Sequence, residues 1–333
     1  MNILVTGGAG FIGSHTIVEL LAGGHTVTVV DSFVNSNKSV LEKLEKITGK
    51  SVHFIEQDVR DTEDLEYLME ANCIDAVIHF AALKAVGESV QKPLEYYRNN
   101  IDGLLSVLEA MNQANVTKLI FSSSATVYGD ADEMPITEDA PLKPATNPYG
   151  ATKQMAEQII GDVCKSSAMQ AVLLRYFNPI GAHASGLIGE LPLGVPNNLV
   201  PFVAQAAAGV RDTLTVFGND YETPDGSGVR DYIHVVDLAK AHVKSVDYLN
   251  DSDEKVTILN IGTGRGTSVL EVINTFEKVN NVKVPYTVGP RRPGDIATCY
   301  ASSAKAESIL GWKAELSLEQ ALADTWKWQQ NTG

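Results

Sequence analysis

A phenol and an ammonium stand four residues apart in the run Asn147-Pro148-Tyr149-Gly150-Ala151-Thr152-Lys153. On a helix that step stacks the two side chains on one face, one turn apart. Asn147 suits the N-cap and Pro148 the first helical position, so the pair is expected in the opening turns. A phenol titrates near pH ~10, too high for a useful base at neutrality. Lowering it by about three pH units requires roughly 4 kcal/mol, which nearby positive charge can supply. Lys153 is one such charge, and an oxidised nicotinamide ring would be a second. The spacing therefore points to proton transfer on a substrate hydroxyl beside a nicotinamide. Upstream, Ser122-Ser123-Ser124 closes an apolar run and brings hydroxyls to the same region.

The N-terminus supplies a place for such a cofactor. Gly7, Gly10 and Gly13 frame Phe11 and Ile12 in a GxxGxxG loop between an expected strand and an expected helix. Small residues there let the backbone approach a pyrophosphate seated on the helix N-terminus. Asp31 ends the second expected strand, eighteen residues beyond Gly13. A carboxylate there accepts hydrogen bonds from the adenosine ribose and repels a 2′-phosphate, favouring NAD over NADP. Asp58-Val59, after the third strand, fits contact with adenine and fits a helix cap or surface acid equally well. Phe80-Ala81-Ala82-Leu83-Lys84 follows the fourth strand, where small residues admit a cofactor; Lys84 also reads as an ordinary solvated lysine. Asn99 lies mid-helix, where asparagine is a poor helix former, so a polar role is expected of it.

These residues need an alternating scaffold, and the first half of the chain has one. Apolar strands at 3–6, 25–31, 52–55, 76–81, 118–122 and 171–177 alternate with helices near 14–21, 62–71, 94–115 and 149–166. That alternation predicts an α/β fold, a Rossmann-type doubly wound parallel sheet. After Asn178-Pro179 the rhythm changes. A glycine- and proline-rich stretch precedes a helix near 199–208, a strand at 214–217 and a strand-plus-helix at 233–249. A strand at 257–261 and helices at 268–279 and 318–329 follow. The expected division is an NAD-binding domain over 1–178, to which the chain returns around 233–262, and a smaller α/β substrate lobe over 179–333.

Composition narrows the function. The 333 residues carry a formal charge of −15, which argues against a nucleic-acid partner, since phosphate backbones need a basic face. Cys73, Cys164 and Cys299 form no CxxC pair, and the seven histidines have no metal-ligand spacing, so neither a disulfide framework nor a metal site is expected. Met1-Asn2 leads straight into Ile3-Leu4-Val5, and the longest uncharged stretch, near 191–210, contains prolines and asparagines. No signal peptide and no membrane span are expected, and a cytoplasmic location is the simplest reading.

The glycine loop, Ser122–Gly129 (Ser-Ser-Ser-Ala-Thr-Val-Tyr-Gly) and the Tyr149/Lys153 pair together resemble the extended short-chain dehydrogenase/reductases, and among them the UDP-glucose 4-epimerases. The likeness runs from Met1 to the C-terminus. It is sharpened by Arg175-Tyr176-Phe177-Asn178-Pro179-Ile180-Gly181-Ala182-His183, Pro196-Asn197-Asn198-Leu199, Phe217-Gly218-Asn219-Asp220-Tyr221, Gly228-Val229-Arg230-Asp231-Tyr232-Ile233-His234 and Arg291-Arg292-Pro293-Gly294-Asp295. The resemblance implies that Tyr149, helped by Lys153 and Ser124, takes the proton of a sugar 4-hydroxyl while C4 is oxidised by tightly held NAD. The 4-keto sugar then turns about its diphosphate link and is reduced on its other face, interconverting UDP-glucose and UDP-galactose. By the same resemblance Ser122, Tyr176 and Phe177 lie near the nicotinamide. Asn178, Asn198, Leu199, Arg230, Tyr232, Arg292 and Asp295 line the UDP-sugar site, with Val216 and Phe217 at the uracil. Lys84, Ser124, Thr126, Tyr149 and Phe177 are implied on the sugar side. A homodimer joined through the helices near 94–115 and 148–166 is implied as well.

One position departs from many bacterial relatives. Four residues after Asp295 they carry a tyrosine facing the sugar; this chain has Cys299. A smaller side chain would admit a 2-acetamido group, extending the substrates to UDP-N-acetylglucosamine and UDP-N-acetylgalactosamine; a neutral strand residue, or Tyr300 turned inward, is the other reading. Nucleotide-sugar 4,6-dehydratases share the fold and the Tyr/Lys pair, but place an acidic pair just before the Val-Tyr-Gly, where this chain has Ala125-Thr126. Epimerases of UDP-glucuronate or UDP-xylose remain alternatives, as does a nucleotide-binding module without catalysis, which would tolerate loss of Tyr149, Lys153 or Ser124.

Overall fold

The computed structural model describes residues 1–192, 194–292 and 295–332. Strand β1 (Asn2–Thr6) runs through the glycine loop into α1 (Phe11–Ala22), which stops at Gly23-Gly24. Then come β2 (Thr26–Asp31), α2 (Ser39–Thr48), β3 (His53–Glu56), α3 (Thr62–Ala71) and β4 (Ala76–His79). Helices α4 (Val86–Gln91), α5 (Pro93–Tyr97) and α6 (Gly103–Gln113) precede β5 (Lys118–Ser122), α7 (Pro148–Ser166) and β6 (Gln170–Tyr176). The remainder is β7 (Asn178–Ile180), α8 (Leu199–Ala207), β8 (Leu214–Phe217), β9 (Val229–Arg230), β10 (Tyr232–His234), α9 (Val235–Asp251), β11 (Val256–Ile261), β12 (Thr267–Ser268), α10 (Val269–Asn280), β13 (Tyr286–Gly289), β14 (Thr298–Cys299), α11 (Ala304–Leu310) and α12 (Leu318–Thr332).

Seven strands form one parallel sheet in the order β11-β6-β5-β4-β1-β2-β3. Helices cover both faces, so its central strands are buried throughout, as parallel sheets require. Alternate side chains feed separate cores. Ile3 and Val5 join Ile17 of α1 and Leu238 of α9, whereas Leu4 joins Leu65 of α3, Leu104 of α6 and Ile160 of α7. β11 pairs with β6 along its whole length, and α9 packs on α1, so residues 235–261 belong to the central layer. A third core lies among α8, α10 and α12, built on Val200, Val203, Val272, Phe276 and Leu322. Short sheets, β10-β7, β12-β9-β14 and β13-β8, join that region to the main sheet.

The alternating pattern predicts the parallel sheet correctly, but several elements differ from their sequence reading. Helix α1 begins at Phe11 rather than Ser14, so the third glycine of the loop sits inside the first turn. Helices α2 and α4 were not anticipated, being short and mostly polar at the surface. The expected unbroken helix over 94–115 is interrupted by a π turn at Arg98–Asp102. The wider turn swings the buried Asn100 amide against the loop after β4. Its Oδ1 accepts from Leu83 N–H (2.8 Å), while its Nδ2 donates to Leu83 O (3.0 Å) and Thr152 Oγ1 (3.1 Å). Such a turn trades helix regularity for aim, as π turns near functional sites commonly do.

Candidate active site

The site forms where β1, β4, β5 and β6 end, along the carboxyl edge of the sheet. In open α/β sheets this is where ligands bind. Asn147 Oδ1 accepts the Gly150 N–H (2.9 Å) and caps α7, with Pro148 in its first turn. Tyr149 and Lys153 therefore point to one side, both buried. Lys153 Nζ donates to the Ser122 carbonyl (2.7 Å) and lies 4.6 Å from the Phe121 ring centre and 5.9 Å from that of Tyr149. The strand end thus holds the ammonium in place.

Burial pushes the Tyr149 phenol above its ordinary range, with Tyr176 nearby adding to the rise and a hydrogen bond from Ser124 opposing it. The protein alone therefore leaves this phenol protonated at neutrality, and Lys153 does not offset that. Burial also lowers Lys153 itself to about 8, against a counteracting pull from Glu157. Ionising Tyr149 needs positive charge brought in beside it. Ser124 is buried, and its Oγ accepts the Thr126 N–H (3.2 Å), which sets its orientation. The buried Ser122 Oγ and Thr126 Oγ1 have no protein partner within hydrogen-bond reach. Buried hydroxyls left in that state in a cleft await a ligand or solvent.

The glycine loop is drawn tight. Gly7 has φ +68°, and a Cβ there would lie 2.7 Å from Ala81 N. A Cβ on Gly13 would lie 2.6 Å from Gly7 O, so the α1 N-terminus stays close to the loop only because neither residue carries a side chain. Asp31 is buried; its Oδ2 accepts the Ala9 N–H (2.9 Å), and its Oδ1 accepts Phe33 N–H (2.9 Å) and Ser36 Oγ–H (2.8 Å). Oδ2 has a lone pair to spare for a further hydroxyl. Phe33 and Ser36 were not singled out from the sequence. Phe33 adopts φ +55°, and its ring meets Phe54 at 5.0 Å.

Asp58 and Val59 part company. Asp58 is gripped by the Arg60 guanidinium, which holds its carboxyl below the usual range, and it caps no helix, since Asp61 precedes α3. Val59 packs into the core with Leu4 and Val30, leaving only its backbone to face a ligand. The Phe80 ring lies 4.7 Å from that of His242, the backbone of Phe80 and Ala81 closes on Gly7, and Ala82 O accepts from Asn35 Nδ2 (3.4 Å). Asn99 stands on the π turn and donates to Asn100 Oδ1 (3.1 Å); the amide that organises the neighbouring loop is that of Asn100.

On the other wall Phe177 is buried with Val127, Tyr128 and Ala301, and Cys299 packs against the same cluster. Burial pushes the Cys299 thiol up to about 11, unsuited to nucleophilic work. Cys299 is paired in register with Arg230 across β14 and β9. Asp295 gathers both arginines, Arg292 Nε at 2.8 Å and Arg230 at 3.7 Å, and Arg292 stacks on Phe217 at 4.8 Å. Phe217 is 39% exposed, whereas its neighbour Val216 is core. Tyr232 is buried beside this group, and burial pushes its phenol up to about 12. Pro293 and Gly294 of that motif lie outside the described residues. Asn178 is exposed at the end of the sheet, its N–H donating to Asp231 O. Leu199 opens α8, directly after Asn198.

A residue absent from the sequence reading joins the two walls. Glu190 Oε1 accepts from Lys84 Nζ (3.0 Å) and from Asn198 Nδ2 (2.7 Å). Its loop is held from below by α12, where Trp328 Nε1 donates to Glu190 O (3.1 Å) and Asn331 to Gly186 O (2.9 Å).

The family description GDP-mannose 4,6 dehydratase matches residues 4–325. A UDP-glucose 4-epimerase from Pasteurella multocida is 54% identical over 331 residues, covering 99% of this chain and 98% of its own. The chain belongs to the UDP-glucose 4-epimerase family of extended short-chain dehydrogenase/reductases. Among solved structures, a UDP-glucose 4-epimerase from Stenotrophomonas maltophila with bound NAD and formylated UDP-arabinopyranose superposes with TM-score 0.98 at 51% identity, covering 100% of this chain and 98% of the other. One from Bifidobacterium longum in complex with NAD+ and UDP gives 0.95 at 54% identity, with coverage of 99% and 98%.

Proposed function

We propose that this chain interconverts UDP-glucose and UDP-galactose using tightly bound NAD. The observation that carries the reading is the Tyr149–Lys153 stack on α7, with Lys153 seated on the Ser122 carbonyl and Ser124 beside the phenol. The Gly7/Gly13 cradle, the free lone pair on Asp31 and the unpartnered Ser122 hydroxyl fit a dinucleotide. When bound, NAD supplies the acceptor and later the donor of hydrogen at C4, and its oxidised ring carries positive charge.

The protein's own groups do the rest. Tyr149, ionised with help from charge beside it, takes the proton of the 4-hydroxyl, and Ser124 hydrogen-bonds the same oxygen. Lys153 balances the phenolate. Arg230 and Arg292 exchange their Asp295 contacts for diphosphate oxygens, which suits a planar, permanently charged fork. Phe217 flanks the uracil, and Leu199, Asn198 and Asn178 bound the sugar side with Phe177 and Tyr232. Gripping the nucleotide while leaving the hexose loosely held allows the 4-keto sugar to turn over and be reduced on its opposite face. Residues 1–178 with 235–261 would form the NAD half, and the remainder the UDP-sugar lobe.

Purified protein given UDP-galactose labelled with deuterium at C4 is expected to yield UDP-glucose that keeps the label. Label lost to water, or no conversion across a panel of UDP-sugars, overturns the reading. Cys299 supports a wider substrate range, because the smaller side chain beside Phe177 leaves room for a 2-acetamido group. Cys299→Tyr is expected to cut turnover of UDP-N-acetylglucosamine by about tenfold or more, the scale of overfilling a packed site, while sparing UDP-galactose. Equal N-acetyl turnover by the two proteins removes the gate.

A homodimer is supported by apolar side chains left outward on one layer, Leu94 of α5, Leu105 of α6 and Met155 of α7, a pattern suited to a four-helix contact. A cytoplasmic location is supported by three cysteines that are all free thiols. No helix among the described residues is long and apolar enough to cross a membrane.

A further inference from the structure

Beneath the proton-transfer pair lies a charged group that the mechanism above does not use. Glu157 follows Lys153 by four residues on α7, so Tyr149, Lys153 and Glu157 form one stripe along the helix. Its side chain is 6% exposed, and that of Arg175 on β6, its ion-pair partner, is 3% exposed. Arg175 donates from Nη2 to Oε2 (2.6 Å) and from Nε to Oε1 (3.0 Å). The same Oε1 accepts the Ser123 hydroxyl (2.6 Å). Ser123 stands between Ser122, whose carbonyl takes the Lys153 ammonium, and Ser124, which lies at the Tyr149 phenol.

A buried ion pair adds little net stability, because removing both charges from water offsets most of their attraction. Its place directly under the working pair therefore calls for another reason. We propose that Glu157 is a positioning residue for catalysis, an anion that keeps the Lys153 ammonium charged and, through Ser123, pins the strand end on which that ammonium rests. The inference rests on the reading of Tyr149 and Lys153 as the proton-transfer pair.

The groups around Lys153 agree with this role. Tyr149 lies one turn before it and Glu157 one turn after. His79, at the end of β4, is kept neutral because burial lowers its pKa to about 3, and its Nδ1 is bonded to Thr6 Oγ1 (2.7 Å). Tyr176 faces Tyr149 from β6. Around Glu157 itself, Arg175 also stacks on Tyr128 (4.8 Å) and reaches Glu138 O, and Tyr128 donates to Asn260. Glu157 is the one carboxylate of this group that raises the Lys153 pKa, against the lowering by burial.

The test follows Lys153 directly, by carbon-13 NMR of its Cε in lysine-labelled full-length protein, assigned with Lys153→Arg. In the unaltered chain the titration midpoint is expected near 8. In Glu157→Gln, which keeps the shape and the acceptor for Ser123, it is expected to fall by about one pH unit or more, the usual reach of a nearby charge. The alkaline limb of UDP-galactose turnover should move down with it. Glu157→Gln/Arg175→Gln, which leaves no bare cation behind and so guards against misfolding, is expected to show the same fall. If Lys153 in either folded variant titrates as in the unaltered protein, the proposal is overturned. Turnover by the unaltered chain separately tests the functional reading: if it converts no UDP-galactose, that reading fails, whatever Lys153 does.

Discussion

Replacing Tyr149 by phenylalanine is expected to lower UDP-galactose turnover by about 10²–10⁴-fold, the contribution typical of a positioned proton-transfer group. The ring remains, so its burial beside Tyr176 and the capped start of α7 are kept. The melting temperature and the affinity for UDP should therefore stay close to those of the unaltered protein. Steady-state kinetics should show the loss in kcat with KM little changed, because only the group acting at the reacting oxygen has gone. Turnover within twofold of the unaltered chain would refute the role given to this phenol. In the unaltered enzyme the rate should fall above pH 8, where Lys153 loses its proton and no longer balances the phenolate.

The second large effect concerns stability and binding together. Asp231 is fully buried between Arg230 and Tyr232. Its Oδ1 accepts from Thr263 N–H (2.8 Å) and Thr263 Oγ1 (2.7 Å), and its Oδ2 from Gly264 N–H (3.1 Å) and Ala301 N–H (3.2 Å). Glycine is required at position 262, since a Cβ there would meet Oδ2 at 2.5 Å. Asp231→Ala strips the acceptor from the buried Ala301 N–H and from the part-buried Thr263 N–H, Gly264 N–H and Thr263 hydroxyl, at about 1–3 kcal/mol for each donor that water does not reach. Allowing for relaxation, a loss of about 3–5 kcal/mol is expected in urea unfolding. Where the variant still folds, KM for UDP-galactose should rise at least tenfold, because β9 and β10 no longer hold Arg230 and Tyr232 in register. A melting curve unchanged from that of the parent would refute this account.

What was legible in the sequence was local. A four-residue step, an N-cap followed by proline, and three glycines after an apolar run each have consequences within one or two turns. The structure places Tyr149, Lys153 and the Gly7–Gly13 loop accordingly. The parallel sheet was legible for the same reason, its strands being continuous apolar runs. Glu190 was not, because its meaning comes from Lys84, 106 residues earlier, meeting Asn198 at one carboxylate oxygen. The π turn at Arg98–Asp102 was hidden because helical periodicity continues on either side of it, and only the tertiary contact of Asn100 with Leu83 and Thr152 accounts for the widening. Val59 reads as a ligand-loop residue by position, yet the fold draws its side chain inward against Gly103. Phe217, implied at the uracil by resemblance, stands part-exposed under Arg292, a placement that its residue type alone does not give.

Because β11 is drawn from residues 256–261, the seven-stranded sheet is not complete until most of the chain has been made. Until that late strand emerges, β6 presents a bare hydrogen-bonding rim, the kind of surface that recruits stray chains. Any arrest of synthesis before residue 261 therefore leaves the central layer one strand short at that rim.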